Sequence, residues 1–137
     1  MTNPPTIREF MAPIPATVEP DKSLDQAHNI MNNFDVRHLP VVNRAGHLVG
    51  ILSSRDIALA ESIGKKGKEH TVEEAMTAQP FTCGPDAHMH AVATEMADHK
   101  YGSAVVVDPD HPSRVVGLLT TIDLLRALAL YTGHGSE

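Results

Sequence analysis

The sequence predicts an α/β (α+β) fold made of two copies of one β-α-β-β-α unit, and three observations carry that prediction. The chain repeats itself, apolar residues recur at helical spacing at the same place in each copy, and short β-rich runs follow in the same order. An offset of 65 pairs Thr6 with Thr71, Glu9 with Glu74, Met11 with Met76, Pro15 with Pro80, Thr17 with Thr82, Pro20 with Pro85 and Asp21 with Asp86. The register runs on through Met31 and Met96 to Val41-Val42 and Val106-Val107. It then becomes 67, pairing Val49-Gly50 with Val116-Gly117, Leu52 with Leu119 and Asp56 with Asp123. The two extra residues fall in the loop Asp108 to Ser113, as expected of an insertion between preserved strands.

Each copy opens with a lead-in, Thr6 to Met11 or Thr71 to Met76, followed by a short extended segment at Thr17-Val18 or Phe81-Thr82-Cys83. A helix comes next. Ser23 with Gln26 three residues on has the form of a capping box, and Leu24, Ala27, Ile30, Met31 and Phe34 make an apolar stripe expected to face the core. In the second copy Asp86 is the expected cap, and Met89, Val92, Ala93 and Met96 make the stripe. Paired strands follow at Leu39 to Val42 with Leu48 to Leu52, and at Ala104 to Val107 with Val115 to Leu119. Second helices are expected from Arg55 to about Ile63 and from Ile122 to about Tyr131, stopped by Gly64 and Gly133. The domain reading is a first motif at 6–64, a connector at 65–70 and a second motif at 71–131, the two motifs forming one globular module.

Two corners organise the pattern: Gly50-Ile51-Leu52-Ser53-Ser54-Arg55-Asp56 and Gly117-Leu118-Leu119-Thr120-Thr121-Ile122-Asp123. In each, an apolar strand runs into a hydroxyl residue, an Asp follows three positions later, and a helix begins. A helix N-terminus offers unpaired N–H groups and partial positive charge, which suits oxygen-rich ligands. The same residues also satisfy a simple capping box, so capping and ligand contact both stand as readings. Arg37 and Arg55 are the phosphate candidates of the first copy, because a guanidinium fork matches phosphate oxygens; the plainer reading is two solvated surface arginines. Their counterparts are Gly102 and Ile122, so any phosphate selectivity should be asymmetric.

Composition narrows the function. Of 137 residues 42% are hydrophobic, with no Trp, two Tyr and three Phe, so the core is aliphatic. Eleven basic against 17 acidic residues give a net charge of −6, which argues against sequence-independent nucleic-acid binding; no DNA partner is expected. The single Cys83 cannot form an internal disulfide, which fits a reducing, cytoplasmic setting. No apolar run approaches the ~20 residues of a membrane span, and the first ten residues lack the apolar core of a signal peptide. His88-x-His90 points to two faces of a helix without further ligands, so no metal site is expected. Cys83 corresponds to Val18 in the repeat and reads as an inert thiol; no catalytic residue is assigned.

The ordered segments Thr17-Val18-Glu19-Pro20-Asp21, Arg37-His38-Leu39-Pro40-Val41-Val42 and Gly50 to Asp56 resemble the cystathionine β-synthase (CBS) domain. So do Thr82-Cys83-Gly84-Pro85-Asp86, Tyr101 to Val107 and Gly117 to Asp123, so the resemblance is to a tandem pair, or Bateman module, over roughly Thr6 to Tyr131. It implies two units packed through their sheets about a pseudo-two-fold axis, with clefts that bind AMP, ADP, ATP or S-adenosylmethionine, and a homodimer that signals to a regulated protein. It assigns Asp56 and Asp123 to ribose hydroxyls, and Ser53 and Thr120 to ribose or phosphate. A carboxylate suits a cis-diol because it accepts two charge-assisted hydrogen bonds. Thr17, Val18, His38, Leu39 and Pro40 match pocket-lining positions in one copy; Thr82, Cys83, Tyr101, Gly102, Ser103, Ala104 and Val105 match them in the other. His38 reads equally well as a partly buried structural histidine. The functional expectation is a non-enzymatic regulatory module that takes an adenine nucleotide as ligand and no catalytic cofactor. The alternative is a ligand-free dimerisation scaffold.

Overall fold

The computed structural model describes residues 4–14, 16–63 and 70–133. Pro15, the polar connector around Lys65, Lys66 and Lys68, Gly64 as a helix stop, and the tail beyond Gly133 lie outside the described residues. The chain divides into two compact units, one of Ile14–Pro80 and one of Met1–Pro13 with Phe81–Glu137.

The unit Ile14–Pro80 holds α1 (Leu24–Phe34), β1 (His38–Val42), β2 (Leu48–Ser53), α2 (Ser54–Ile63), a short α3 (Val72–Ala75) and β3 (Thr77–Ala78). Its sheet has the order β1-β2-β3, antiparallel throughout. The expected opening strand at Thr17-Val18 is reduced to one parallel bridge, Val18 to Val41. Val18, Leu24, Ala27, Met31, Leu39, Val41, Leu52, Ile57 and Val72 make the core. Full burial of such side chains stabilises by about 1.5–3 kcal/mol each.

The other unit holds a 3-10 turn (Ile7–Glu9), β4 (Thr82–Cys83), α4 (Met89–His99), β5 (Ser103–Asp108), β6 (His111–Thr120) and α5 (Thr121–Gly133). β4 runs parallel to β5, and β5 antiparallel to β6. Its core is Ile7, Met89, Val92, Met96, Ala104, Val106, Leu119 and Ala127.

The lead-ins are exchanged between the repeats. Ile7, from the first copy, is wholly buried in the core built around the second copy's helices and strands, while Val72, its repeat equivalent, is wholly buried in the first copy's core. Backbone bonds repeat the exchange pair by pair. Leu24 N–H donates to His70 carbonyl at 2.9 Å and Met89 N–H to Pro5 carbonyl at 2.9 Å; Val72 N–H donates to Lys22 carbonyl and Ile7 N–H to Ala87 carbonyl. β3 pairs with Gly50-Ile51, and Ala12 bridges Leu118. Met76 lies over Gly50 and Met11 over Gly117, where no Cβ fits: at Gly50 it would also come within 2.9 Å of the Thr77 carbonyl oxygen.

Several helix ends follow sequence rules and others do not. Ser23 and Gln26 form a reciprocal capping box, with Gln26 N–H on Ser23 Oγ at 3.1 Å and Ser23 N–H on Gln26 Oε1 at 2.9 Å. Thr71 and Glu74 do the same at α3, and the Thr71 backbone N–H holds the Glu74 carboxyl below its ordinary pKa. Asp86, by contrast, does not cap α4. His88 is the N-cap, without a side-chain bond, because Asp86 sits in the preceding turn and pairs with Arg8 at 3.1 Å. Phe34 leaves the stripe and is 51% exposed, since α1 ends beside it in a left-handed cap at Asp35, φ 53°. α4 ends identically at Lys100, φ 60°. α2 and α5 begin one residue earlier than expected, at Ser54 and Thr121, and α5 runs through Gly133. Among the described residues no helix is long and apolar enough to cross a membrane.

Candidate functional site

Each unit presents one strand-to-helix corner. At the end of β2, Ser53 N–H donates to Asp56 Oδ2 at 2.9 Å and Asp56 N–H donates to Ser53 Oγ at 3.0 Å. This is a complete capping box, so the capping reading holds for the geometry. Oδ1 of Asp56 has no partner among the described residues. Arg37 is fastened to the same corner: its carbonyl accepts from Ser54 N–H at 2.9 Å, while its side chain is exposed. Arg55, in the first turn of α2, is exposed, and neither arginine has an ion pair among the described residues. His38 faces Ser53 across the β1-β2 ladder, half-buried.

The remaining positions named for this copy are less open. Leu39 and Pro40 are wholly buried, and Leu39 belongs to the core. Val18 is buried as well, with its N–H bound to Pro40 carbonyl and its carbonyl bound by Val42 N–H, both inside the sheet. Thr17 is exposed beside it.

The corner of the other unit has the same acid in a different hydrogen-bond arrangement. Thr120 N–H donates to Asp123 Oδ2 at 2.8 Å, and the Thr120 hydroxyl donates to the same oxygen at 3.2 Å. Asp123 is only 9% exposed and is the buried charged residue of the described chain. Its Oδ1 has no partner there either. Ser103 faces Thr120 across the β5-β6 ladder; Gly102 precedes it, exposed, and Ala104 is wholly buried. Ile122, in the place of Arg55, is 54% exposed. Tyr101 stacks on Phe81 (centroids 5.0 Å, 22°) and on His99 (5.2 Å, 15°), and His99 Nε2 lies 2.8 Å from Glu95 Oε2. Thr82 is exposed and Cys83 half-buried on β4; burial pushes the Cys83 thiol up to about 11, which keeps it a protonated, poor nucleophile.

Sequence reasoning did not find the segments that border the corners. Thr77-Ala78 lies along β2 beside Gly50-Ile51, and Ala12 lies along β6 beside Leu118, so each corner is edged by the other copy's lead-in. The matched Met and Gly positions were visible, but nothing in the sequence said that they meet across copies. Among the described residues no group of three or more His, Cys, Asp or Glu is placed to hold a metal ion.

The sequence profile of the CBS domain matches residues 7–62 and 72–130. The L-aspartate semialdehyde sulfurtransferase of Methanocaldococcus jannaschii is 35% identical over 120 residues, 88% of this chain and 22% of that protein. The chain thus spans about a fifth to a quarter of the first such relatives, at 22% and 24% of their lengths. The CBS domain-containing protein YhcV of Bacillus subtilis is 28% identical over 87% of this chain and 82% of its own length. Among solved structures, the CBS domain pair of protein MJ0100 in complex with 5′-methylthioadenosine and S-adenosyl-L-methionine is 32% identical, with a TM-score of 0.81 over 96% of this chain and 99% of that one. CBSX2 in complex with AMP is 27% identical, with a TM-score of 0.73 over 93% and 98%. The repeat in the sequence, the two sheets with their matching corners and these likenesses agree, and the chain belongs to the CBS-domain family as a tandem pair.

Proposed function

We propose that the protein is a regulatory module that binds an adenosine-containing ligand at its Asp corners and passes the occupancy on to a protein partner. One observation carries this reading. In both corners the Asp is fixed through Oδ2 by a backbone N–H, leaving Oδ1 without a partner among the described residues, and Asp123 keeps this arrangement at 9% exposure. A mostly buried carboxylate with a spare oxygen favours a ligand that brings hydroxyl donors, and a ribose cis-diol does so. Complexes of similar CBS pairs with AMP, and with 5′-methylthioadenosine and S-adenosyl-L-methionine, support the same class. The module acts by binding rather than catalysis, in the cytoplasm and without a DNA partner, in keeping with its net charge of −6.

The second reading, a ligand-free dimerisation scaffold, is favoured by the outward faces of α2 and α5. Leu59 and Ile63 on α2, and Ile122, Leu125, Leu128 and Leu130 on α5, are all more than half exposed, from 52% to 79%. A homodimer that covers these residues is compatible with either reading. Titration of the purified, nucleotide-free protein with AMP, ADP, ATP and S-adenosylmethionine separates the two. The sensor reading expects saturable binding tighter than about 1 mM, the weak end of the affinity scale. No binding by any of the four leaves the scaffold.

A further inference from the structure

We infer that Met11 and Met76 are paired modification sites, at which a peroxide oxidises the thioether to a sulfoxide and so loosens the lead-in that each methionine anchors. The inference is independent of any ligand at the corners and rests on how the two lead-ins are held.

The seat of each methionine is built the same way twice. Met76 N–H donates to Val72 carbonyl and Met11 N–H to Ile7 carbonyl, each at 2.8 Å, so a wholly buried residue four positions earlier fixes where the methionine starts. Its side chain then lies on a strand glycine: Met76 Sδ over Gly50, and Met11 Sδ over Gly117, where a Cβ would stand 2.7 Å from the sulfur. Met76 packs against the core of Ile14–Pro80 and Met11 against the core of the other unit. Beyond each methionine the pairing is short. Thr77-Ala78 pairs with two residues of β2, and Ala12 exchanges two backbone bonds with Leu118, at 2.9 and 3.0 Å. Thr77, Ala78 and Ala12 are exposed and bury little apolar surface, so the methionine is the side chain that seats this part of the lead-in.

Accessibility singles out the same two residues. Met31, Met89 and Met96 are only 3%, 7% and 2% exposed, whereas Met11 and Met76 are half-buried, so a small oxidant meets the lead-in methionines first. Cys83 competes poorly, because burial keeps its thiol protonated. In the reaction a sulfur lone pair attacks one peroxide oxygen, and the S–O bond forms as the O–O bond breaks. The departing hydroxide takes the proton of the transferred oxygen and leaves as water; the sulfur is oxidised by two electrons and the peroxide is reduced. The added oxygen takes space on a sulfur already pressed to the strand and draws water to it, and both effects favour the undocked lead-in.

The test treats the full chain with hydrogen peroxide in stages. Peptide mass spectrometry should find sulfoxide at Met11 and Met76 about tenfold faster than at Met31, Met89 and Met96. Hydrogen exchange of the oxidised protein should then speed up about tenfold at Ala12, Leu118 and Thr77-Ala78 while α1 and α4 stay protected, and methionine sulfoxide reductase with a dithiol should restore the slow exchange. Met11→Leu/Met76→Leu keeps the apolar volume, thermal melts verify its folding, and its exchange should not respond to peroxide. The measurements on the unaltered protein decide the matter by themselves if that variant does not fold. Equal oxidation of the buried methionines, unchanged exchange once Met11 and Met76 are oxidised, or a peroxide response that survives in the folded double variant each overturn the proposal.

Discussion

The two halves of this chain share one plan and differ at the places where the plan meets solvent. Their cores match position for position, Ile7 with Val72, Met89 with Leu24, Met96 with Met31 and Leu119 with Leu52. Their corners share an Asp fixed to a backbone N–H at 2.8 and 2.9 Å. Around that acid almost everything differs: arginines face a glycine and an isoleucine, and a serine that accepts faces a threonine that donates. Packing constrains the interior because each side chain fills a volume set by its neighbours, whereas an exposed position can change with little loss of stability.

That comparison can be broken at four graded points. The largest effect belongs to the glycines beneath the exchanged methionines. Gly50→Ala forces a methyl onto Met76 and to within 2.9 Å of the Thr77 carbonyl oxygen, while Gly117→Ala meets the Ala12 carbonyl oxygen at 3.2 Å and Met11 Sδ at 2.7 Å. Urea unfolding should show a loss of about 3 kcal/mol for the first and about 1–2 for the second; equal losses would mean that the two lead-ins are docked alike. Next come the acids. Asp123→Ala should cost about 2 kcal/mol and Asp56→Ala about 1, because the former strips a buried corner of its acceptor. Asp→Asn at either position keeps the side chain's shape, so a loss of adenosine affinity with little change in melting temperature would mark ligand contact rather than capping.

The caps give a smaller contrast. Ser23→Ala removes a bonded cap from α1 and should cost about 1 kcal/mol, whereas His88→Ser supplies α4 with the cap it lacks and should raise stability by about 0.5–1. Opposite signs in thermal melts confirm the asymmetry; two losses would refute it. The smallest effect is at the left-handed helix ends. Lys100→Gly should stabilise by a few tenths to about 1 kcal/mol and Asp35→Gly by less, since Asp tolerates that conformation better than Lys.

Much of this was legible in the sequence because it is written locally. The Ser23–Gln26 box, the α1 and α4 stripes and both corners depend on residues a few positions apart, where spacing alone sets geometry. The exchange of lead-ins was not legible, for a reason of symmetry. Thr6 and Thr71, Ile7 and Val72, and Met11 and Met76 present near-equal surfaces, so either copy satisfies the pattern in either place. Asp86 failed as a predicted cap through the same blind spot: its partner Arg8 arrives only because the first lead-in docks beside it. At the corners, the acids stand at the starts of the second helices as their spacing implied, but the approach of Thr77-Ala78 and Ala12 was not legible, since they come from the other copy.

The exchange also sets an order of events during synthesis. The unit Ile14–Pro80 is one uninterrupted stretch and has all its strands once Ala78 has left the ribosome. The other must keep the segment before Pro13 in waiting until Leu118 emerges to pair with Ala12. For that interval Ile7 has no core to enter, and β6 gains its outer neighbour only when the long loop between Ala12 and Leu118 closes. Loop closure of this length makes the docking of Ala12 beside β6 the step expected to be slowest in forming that unit.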